Sequence, residues 1–135
     1  MIEFFVCGIP QTKGSTKSFY VKKKGAAKGR VVTTNDNPKN KEWAATVHYE
    51  ALRHKPALLP TGPVHVWYTF HLKAPKHIKD YDTPHITKPD LDKVTRSAND
   101  AMIGVMYKDD SQIVHSVQGK VYGKQTGVQI SIQYE

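Results

Sequence analysis

Across residues 64–72, Val64, Val66, Tyr68, Phe70 and Leu72 alternate without a break with His65, Trp67, Thr69 and His71. A β-strand repeats every two residues, so this alternation commits the segment to a strand with one buried face. Gly62-Pro63 introduces it, and its length and apolar face predict a central position in a sheet. A strand of this kind needs neighbours and a cover over its apolar side. Ile2, Phe4 and Val6 alternate with Glu3, Phe5 and Cys7 until Gly8-Ile9-Pro10 breaks the pattern, which predicts an opening strand. Residues 113–122 form a third candidate, and Val128, Ile130, Ile132 and Tyr134 alternate with Gln129, Ser131 and Gln133 in a fourth.

The cover comes from two stretches with helical spacing. Asn37-Pro38 reads as a helix start, with a capping side chain followed by a proline whose missing N–H costs nothing in the first turn. Trp43, Val47 and Ala51, flanked by Ala44 and Leu52, then form an apolar stripe ending near Lys55-Pro56. In the second stretch Leu91, Val94, Ala98, Ala101, Met102 and Val105 share one face, whereas Asp92, Lys93, Arg96, Asn99 and Asp100 project from the other. Gly104 suits the end of that helix. The expectation is a mixed α/β (α+β) fold, a mixed sheet with about two main helices packed on it, in a single domain over residues 1–135.

The charge is strongly biased: formal net charge is +8 and the sequence pI about 9.5, a balance that attracts polyanions. Residues 13–30 contain seven basic side chains (Lys13, Lys17, Lys22, Lys23, Lys24, Lys28 and Arg30) and no acid. They surround Phe19-Tyr20-Val21 and precede Val31-Val32-Thr33-Thr34, two short strand candidates that predict a hairpin or a mobile basic loop. Such a run can be a solvated face, but acid-free interleaving with aromatics favours nucleic acid. Lys73, Lys76, Lys79 and Lys88 from the long polar loop at 73–89, and Lys93 just beyond it, complete the candidate DNA-binding set. Without 18 consecutive apolar residues or a basic secretory start at Met1-Ile2-Glu3, a cytoplasmic protein with no membrane partner is expected. Cys7 stands alone, which excludes an intrachain disulfide, and reads as a small buried residue of the first strand.

Against this background, five of the twelve acidic residues (Asp90, Asp92, Asp100, Asp109 and Asp110) fall within 21 positions. Clustered carboxylates repel a polyanion unless hard divalent cations lie between them. Asp90 and Asp92 straddle a helix start and Asp109-Asp110 lie at the turn into the next strand. Aspartate is common at caps and turns, yet an N-cap needs one side-chain oxygen, and here two acids share the cap and two more the next turn. If the following strand runs beside the helix start, Asp110 returns to Asp90 and Asp92, and three carboxylates supply the oxygen ligands that Mg²⁺ prefers. Arg96, one turn beyond Asp92, would act electrostatically, being too basic to donate a proton. Asp100 is expected to pair with Arg96 at i, i+4. The histidines show no HExxH or paired zinc spacing, so none is a candidate ligand, and no small-molecule cofactor is expected. Basic surface plus acidic pocket points to a metal-dependent nuclease.

The same residues carry a family resemblance. K-P-D-L-D at 88–92, Asp100-Ala101, G-V-x-Y-x-D-D-S-Q-I at 104–113 and G-I-P-x-x-K at 8–13 resemble the RusA family of Holliday junction resolvases, small metal-dependent endonucleases of bacteria and their phages. The resemblance implies a homodimeric α/β protein that binds four-way DNA junctions and cuts two opposed strands with Mg²⁺ or Mn²⁺. It places the family's catalytic acids on Asp90, Asp92 and Asp110. Two positions depart from the pattern: Lys93 stands where the family commonly has asparagine, and Arg96 where it has a functional lysine. These departures keep open a protein that recognises branched DNA without cutting it; a metal-dependent phosphoesterase for small substrates ranks below both. Paired cuts by a chain with one acidic cluster require two copies, and Ile130, Ile132 and Tyr134 could serve either a dimer interface or the core.

Overall fold

A computed structural model describes residues 1–13, 16–21, 30–35 and 37–135, with the backbone alone considered for 16–21 and 30–35. In chain order the elements are β1 (Ile2–Cys7), β2 (Thr16–Val21), β3 (Arg30–Asn35), α1 (Lys39–Leu52), β4 (Val64–Lys73), α2 (Leu91–Ala101), β5 (Ile113–Gly123) and β6 (Gly127–Tyr134). The main sheet has the order β1-β6-β4-β5, so the strictly alternating strand is internal, as its pattern predicted. β6 runs antiparallel to both β1 and β4, whereas β4 and β5 are parallel. β2 and β3 form the separate antiparallel hairpin expected of the basic segment, with Phe19 opposite Val32.

One face of the sheet makes the core. Val64, Val66, Tyr68, Phe70 and Leu72 of β4, Phe4 and Val6 of β1, and Val128, Ile130 and Ile132 of β6 are all buried there. Trp43, Val47 and Ala51 of α1, Val94 and Ala98 of α2, and Met102 just past the end of α2 complete the same cluster. Each large side chain withdrawn from water in this way contributes about 1.5–3 kcal/mol. Ile130 and Ile132 thus belong to the core of the single chain, and only Tyr134 is partly exposed, its hydroxyl donating to the Met106 carbonyl at 2.8 Å.

Two local expectations are corrected. Cys7 lies in β1 but is exposed, because Phe4 and Val6 take the buried phase of the alternation and leave the odd-numbered residues on the other side. Pro38 rather than Asn37 occupies the N-cap position of α1; the Asn37 amide reaches back to the carbonyl and hydroxyl of Thr12 at 2.9 and 3.0 Å.

The parallel pairing of β4 with β5 fixes the course of the chain between them. A parallel connection must carry the chain back to the end of the sheet where it started, so α2 runs antiparallel to both strands. Residues 74–90 first extend the sheet beyond β5: the Asp82 N–H donates to Tyr122 O, Tyr122 N–H to Thr83 O, and His85 N–H to Lys120 O. The Lys120 ammonium then binds the carbonyls of Thr87 and Pro89 at 2.5 and 2.9 Å, anchoring the entry to α2 late in β5. No helix among the described residues is long and apolar enough to cross a membrane.

Candidate active site

The α2 sequence explains both its position and its chemistry. Val94, Thr95, Ser97 and Ala98 are buried, and Ser97 Oγ donates to Asn40 Oδ1 at 2.5 Å, joining α2 to α1. The opposite side keeps Asp92 and Arg96 exposed. Asp90 takes the N-cap position in an extended conformation, yet its carboxylate makes no capping hydrogen bond. Its oxygens hold lysines instead, with Lys88 Nζ at 2.8 Å from Oδ1 and Lys93 Nζ at 3.6 Å from Oδ2. The Lys88 hydrogen bond, with the charge of Lys93 behind it, holds the Asp90 carboxyl below the usual carboxylate range. Asp90 in turn raises the Lys88 ammonium above its ordinary value. Asp92, in the first turn, gains from the positive end of the helix dipole.

A second acidic group stands at the other end of α2. Asp100 does not pair with Arg96; it meets Lys13 from the loop after β1, with Nζ 2.5 Å from Oδ2. Gly104 lies just past this end with φ +82°, the left-handed conformation that glycine adopts freely. Two tyrosines hold Asn99 in the last turn: Tyr68 OH donates to its side-chain Oδ1 and Tyr107 OH to its backbone O, each at 2.6 Å. Asp109 starts a 3₁₀ turn over Asp110–Gln112 by accepting from Ser111 N–H at 3.0 Å, while the Gln112 side-chain oxygen accepts from Asp109 N–H at 3.0 Å. The Ser111 backbone bond, reinforced by Asp110, lowers the Asp109 carboxyl. The Asp109 carboxylate, desolvation and nearby Asp100 push Asp110 the opposite way, above the usual range.

The three sequence-predicted acids are therefore divided. Asp90 and Asp92 stand at the start of α2 and Asp100 at its end, about 15 Å along the axis from Asp90 at 1.5 Å per helical residue, and Asp110 interacts with Asp100. The premise that β5 begins beside the helix start fails because α2 returns the chain antiparallel to the strands. Among the described residues no three histidine, cysteine or carboxylate side chains gather closely enough to hold a metal ion. In chemistry the donors do fit a hard divalent cation: all four aspartates offer oxygen alone, and Mg²⁺ commonly takes one or two carboxylates together with water and phosphate. In placement, each end of α2 carries part of such a set.

The candidate cations fall into three groups. Lys73, Lys76, Lys79 and Lys88 are exposed along the loop, Lys93 is half-buried against Asp90, and Lys13 serves the far end of α2. Lys22, Lys23, Lys24 and Lys28 lie outside the described residues; Lys17 and Arg30 fall in β2 and β3, where only the backbone is considered. Sequence reasoning missed the Lys13–Asp100 pair and the anchoring role of Lys120. Lys13 and Asp100 each lie in a recognised motif, but nothing local connects them.

A curated relative, "Uncharacterized protein YqaN" of Bacillus subtilis (strain 168), is 28% identical over 142 residues, covering 98% of this chain and 95% of the relative. The family model described as "Endodeoxyribonuclease RusA" matches residues 11–133, a span that takes in α1, the whole β4–α2–β5 crossover and both acidic groups. With nearly its full length matched, the chain belongs to the RusA family of endodeoxyribonucleases.

Proposed function

We propose that this protein is a divalent-metal-dependent endodeoxyribonuclease that resolves four-way DNA junctions by paired phosphodiester cleavage, serving homologous recombination and repair, and that it works as a two-fold dimer. The observation that carries this reading is the division of the carboxylates: Asp90 and Asp92 at one end of α2, Asp100 and Asp110 at the other. A two-fold axis relates a surface to itself, so it can set the start of α2 in one protomer against the end of α2 in the other and complete two equivalent sites. The +8 chain supplies the attraction for DNA that these acids oppose.

Asp90, Asp92 and Asp110 would hold Mg²⁺, or Mn²⁺ in its place. When bound, the metal supplies activation of water and neutralisation of charge at the scissile phosphate. Arg96, exposed on the same helix, offers a fixed positive charge that orients phosphate. Lys73, Lys76 and Lys79 in the long loop hold the DNA backbone without reading bases. A second reading, binding of branched DNA without cleavage, is favoured by one observation: Lys88 and Lys93 already occupy Asp90.

Incubation with a labelled synthetic four-way junction, with and without Mg²⁺, followed by denaturing electrophoresis, separates the two. Symmetric cuts that require the metal are expected. Tight junction binding with no cut in Mg²⁺ or Mn²⁺ would establish the second reading, and absence of DNA binding at low salt would overturn both.

A further inference from the structure

Each oxygen of Asp90 faces an ammonium group from its own stretch of chain. Lys88, before the helix, lies 2.8 Å from Oδ1, and Lys93, in the first turn of α2, lies 3.6 Å from Oδ2. An aspartate at an N-cap ordinarily spends an oxygen on a helix N–H; Asp90 makes no such bond. A divalent cation at the same oxygens is repelled by the two ammonium groups beside them. Lys120, on the neighbouring strand β5, is committed to the carbonyls of Thr87 and Pro89.

We propose that Lys88 and Lys93 are resident counter-cations of Asp90, which they hold in the metal-free protein and release when a DNA phosphate takes their ammonium groups, so that substrate binding opens the carboxylate to the metal. The inference rests on the metal-dependent reading above and adds the order of events. Thr12, Lys88, Pro89, Asp90 and Lys93 line a hollow of about 370 Å³, room enough for a phosphodiester beside the carboxylate. The Lys88 side chain is 83% exposed, and ion pairs of that exposure are worth little, so a phosphate can displace Asp90 as partner at small cost. An uncharged residue at position 93 could not perform this role.

The test is calorimetric titration of the DNA-free protein with Mn²⁺, comparing wild type, Lys93→Asn, Lys93→Gln, Asp90→Asn and Asp90→Asn/Lys93→Asn. Removing Lys93 should tighten Mn²⁺ at least about tenfold, the effect of one unit charge on a divalent ion near contact distance in water, with Asn and Gln behaving alike. In the Asp90→Asn background the same replacement should tighten Mn²⁺ clearly less, because only the repulsion of the ion by Lys93 remains and the direct pair is gone. No tightening, or equal tightening in both backgrounds, would overturn the inference while leaving the metal reading in place. Asp90→Asn binding Mn²⁺ as well as wild type would overturn the metal reading, and the inference with it. For the DNA half, Lys93→Asn should reduce the slope of log affinity against log salt for junction binding by about 0.9, one phosphate contact; an unchanged slope would refute it.

Discussion

Lys13 and Asp100, 87 positions apart in sequence, meet at 2.5 Å between Nζ and Oδ2. The contact ties the loop after β1 to the last turn of α2, where the helix dipole disfavours a carboxylate and Asp110 adds a second one nearby. Lys13 offsets both. The pair is partly exposed, with side chains 44% and 28% accessible, so its contribution is screened. Lys13→Ala should cost about 0.5–1 kcal/mol in urea unfolding, and Asp100→Asn on top of it should recover part of the loss. Additive destabilisation by the two changes would show that they do not act as a pair.

Asp90→Asn, Asp92→Asn and Asp110→Asn each remove a charged oxygen donor while nearly preserving shape. Each variant should keep junction binding and lose at least about a hundredfold in Mg²⁺-dependent cleavage. Full cutting by two of the three would sink the assignment.

The dimer is tested by light scattering at micromolar concentration, with and without junction DNA. A mass near twice the 15.2 kDa of the chain is expected. A species that stays monomeric on DNA and still makes paired cuts would defeat the two-fold arrangement and its division of acids across α2.

Three tyrosines predict the alkaline limit of the fold. Burial raises Tyr68 and Tyr107 well above the ordinary phenol value and raises Tyr134 to about 12. A raised phenol keeps its proton in the native state while the unfolded chain ionises near pH 10, so the stabilisation is complete below about pH 10 and is lost as pH rises through the native values. The urea midpoint should fall steadily from about pH 10 upward. Phenolate absorbance from these three residues should appear together with unfolding; their ionisation in the native protein near pH 10 would contradict the burial.

Two glycines with positive φ should behave differently on replacement by alanine. At Gly127, φ +153°, a Cβ would stand 2.1 Å from Val6 O and 2.7 Å from the Phe5 ring, and the β1–β6 ladder prevents that carbonyl from moving aside. At Gly104, φ +82°, nothing lies within 4 Å. Gly127→Ala should therefore cost more than about 3 kcal/mol, against about 1–2 kcal/mol of backbone strain alone for Gly104→Ala. Equal costs in denaturant titrations would contradict the close approach of β1 to β6.

The sequence by itself determined which segments become strands and helices and which face of each is buried. Alternation in β4, β6 and β1 and helical spacing in α1 and α2 are local periodicities, and burial follows them wherever an apolar phase is unambiguous. Cys7 shows the limit: its residue type suggested burial, but its place in the β1 alternation put it outside. The residue types of the candidate site were equally legible, since aspartates crowded into a basic chain have few local explanations. Their spatial grouping was not. The partner of Asp110 depends on whether β5 starts beside the head or the tail of α2, and that follows from the parallel pairing of β4 with β5, a contact between segments some fifty residues apart. A second tertiary contact gave Asp100 to Lys13 rather than to Arg96, because a cation delivered by the loop after β1 reached it where the helical neighbour did not.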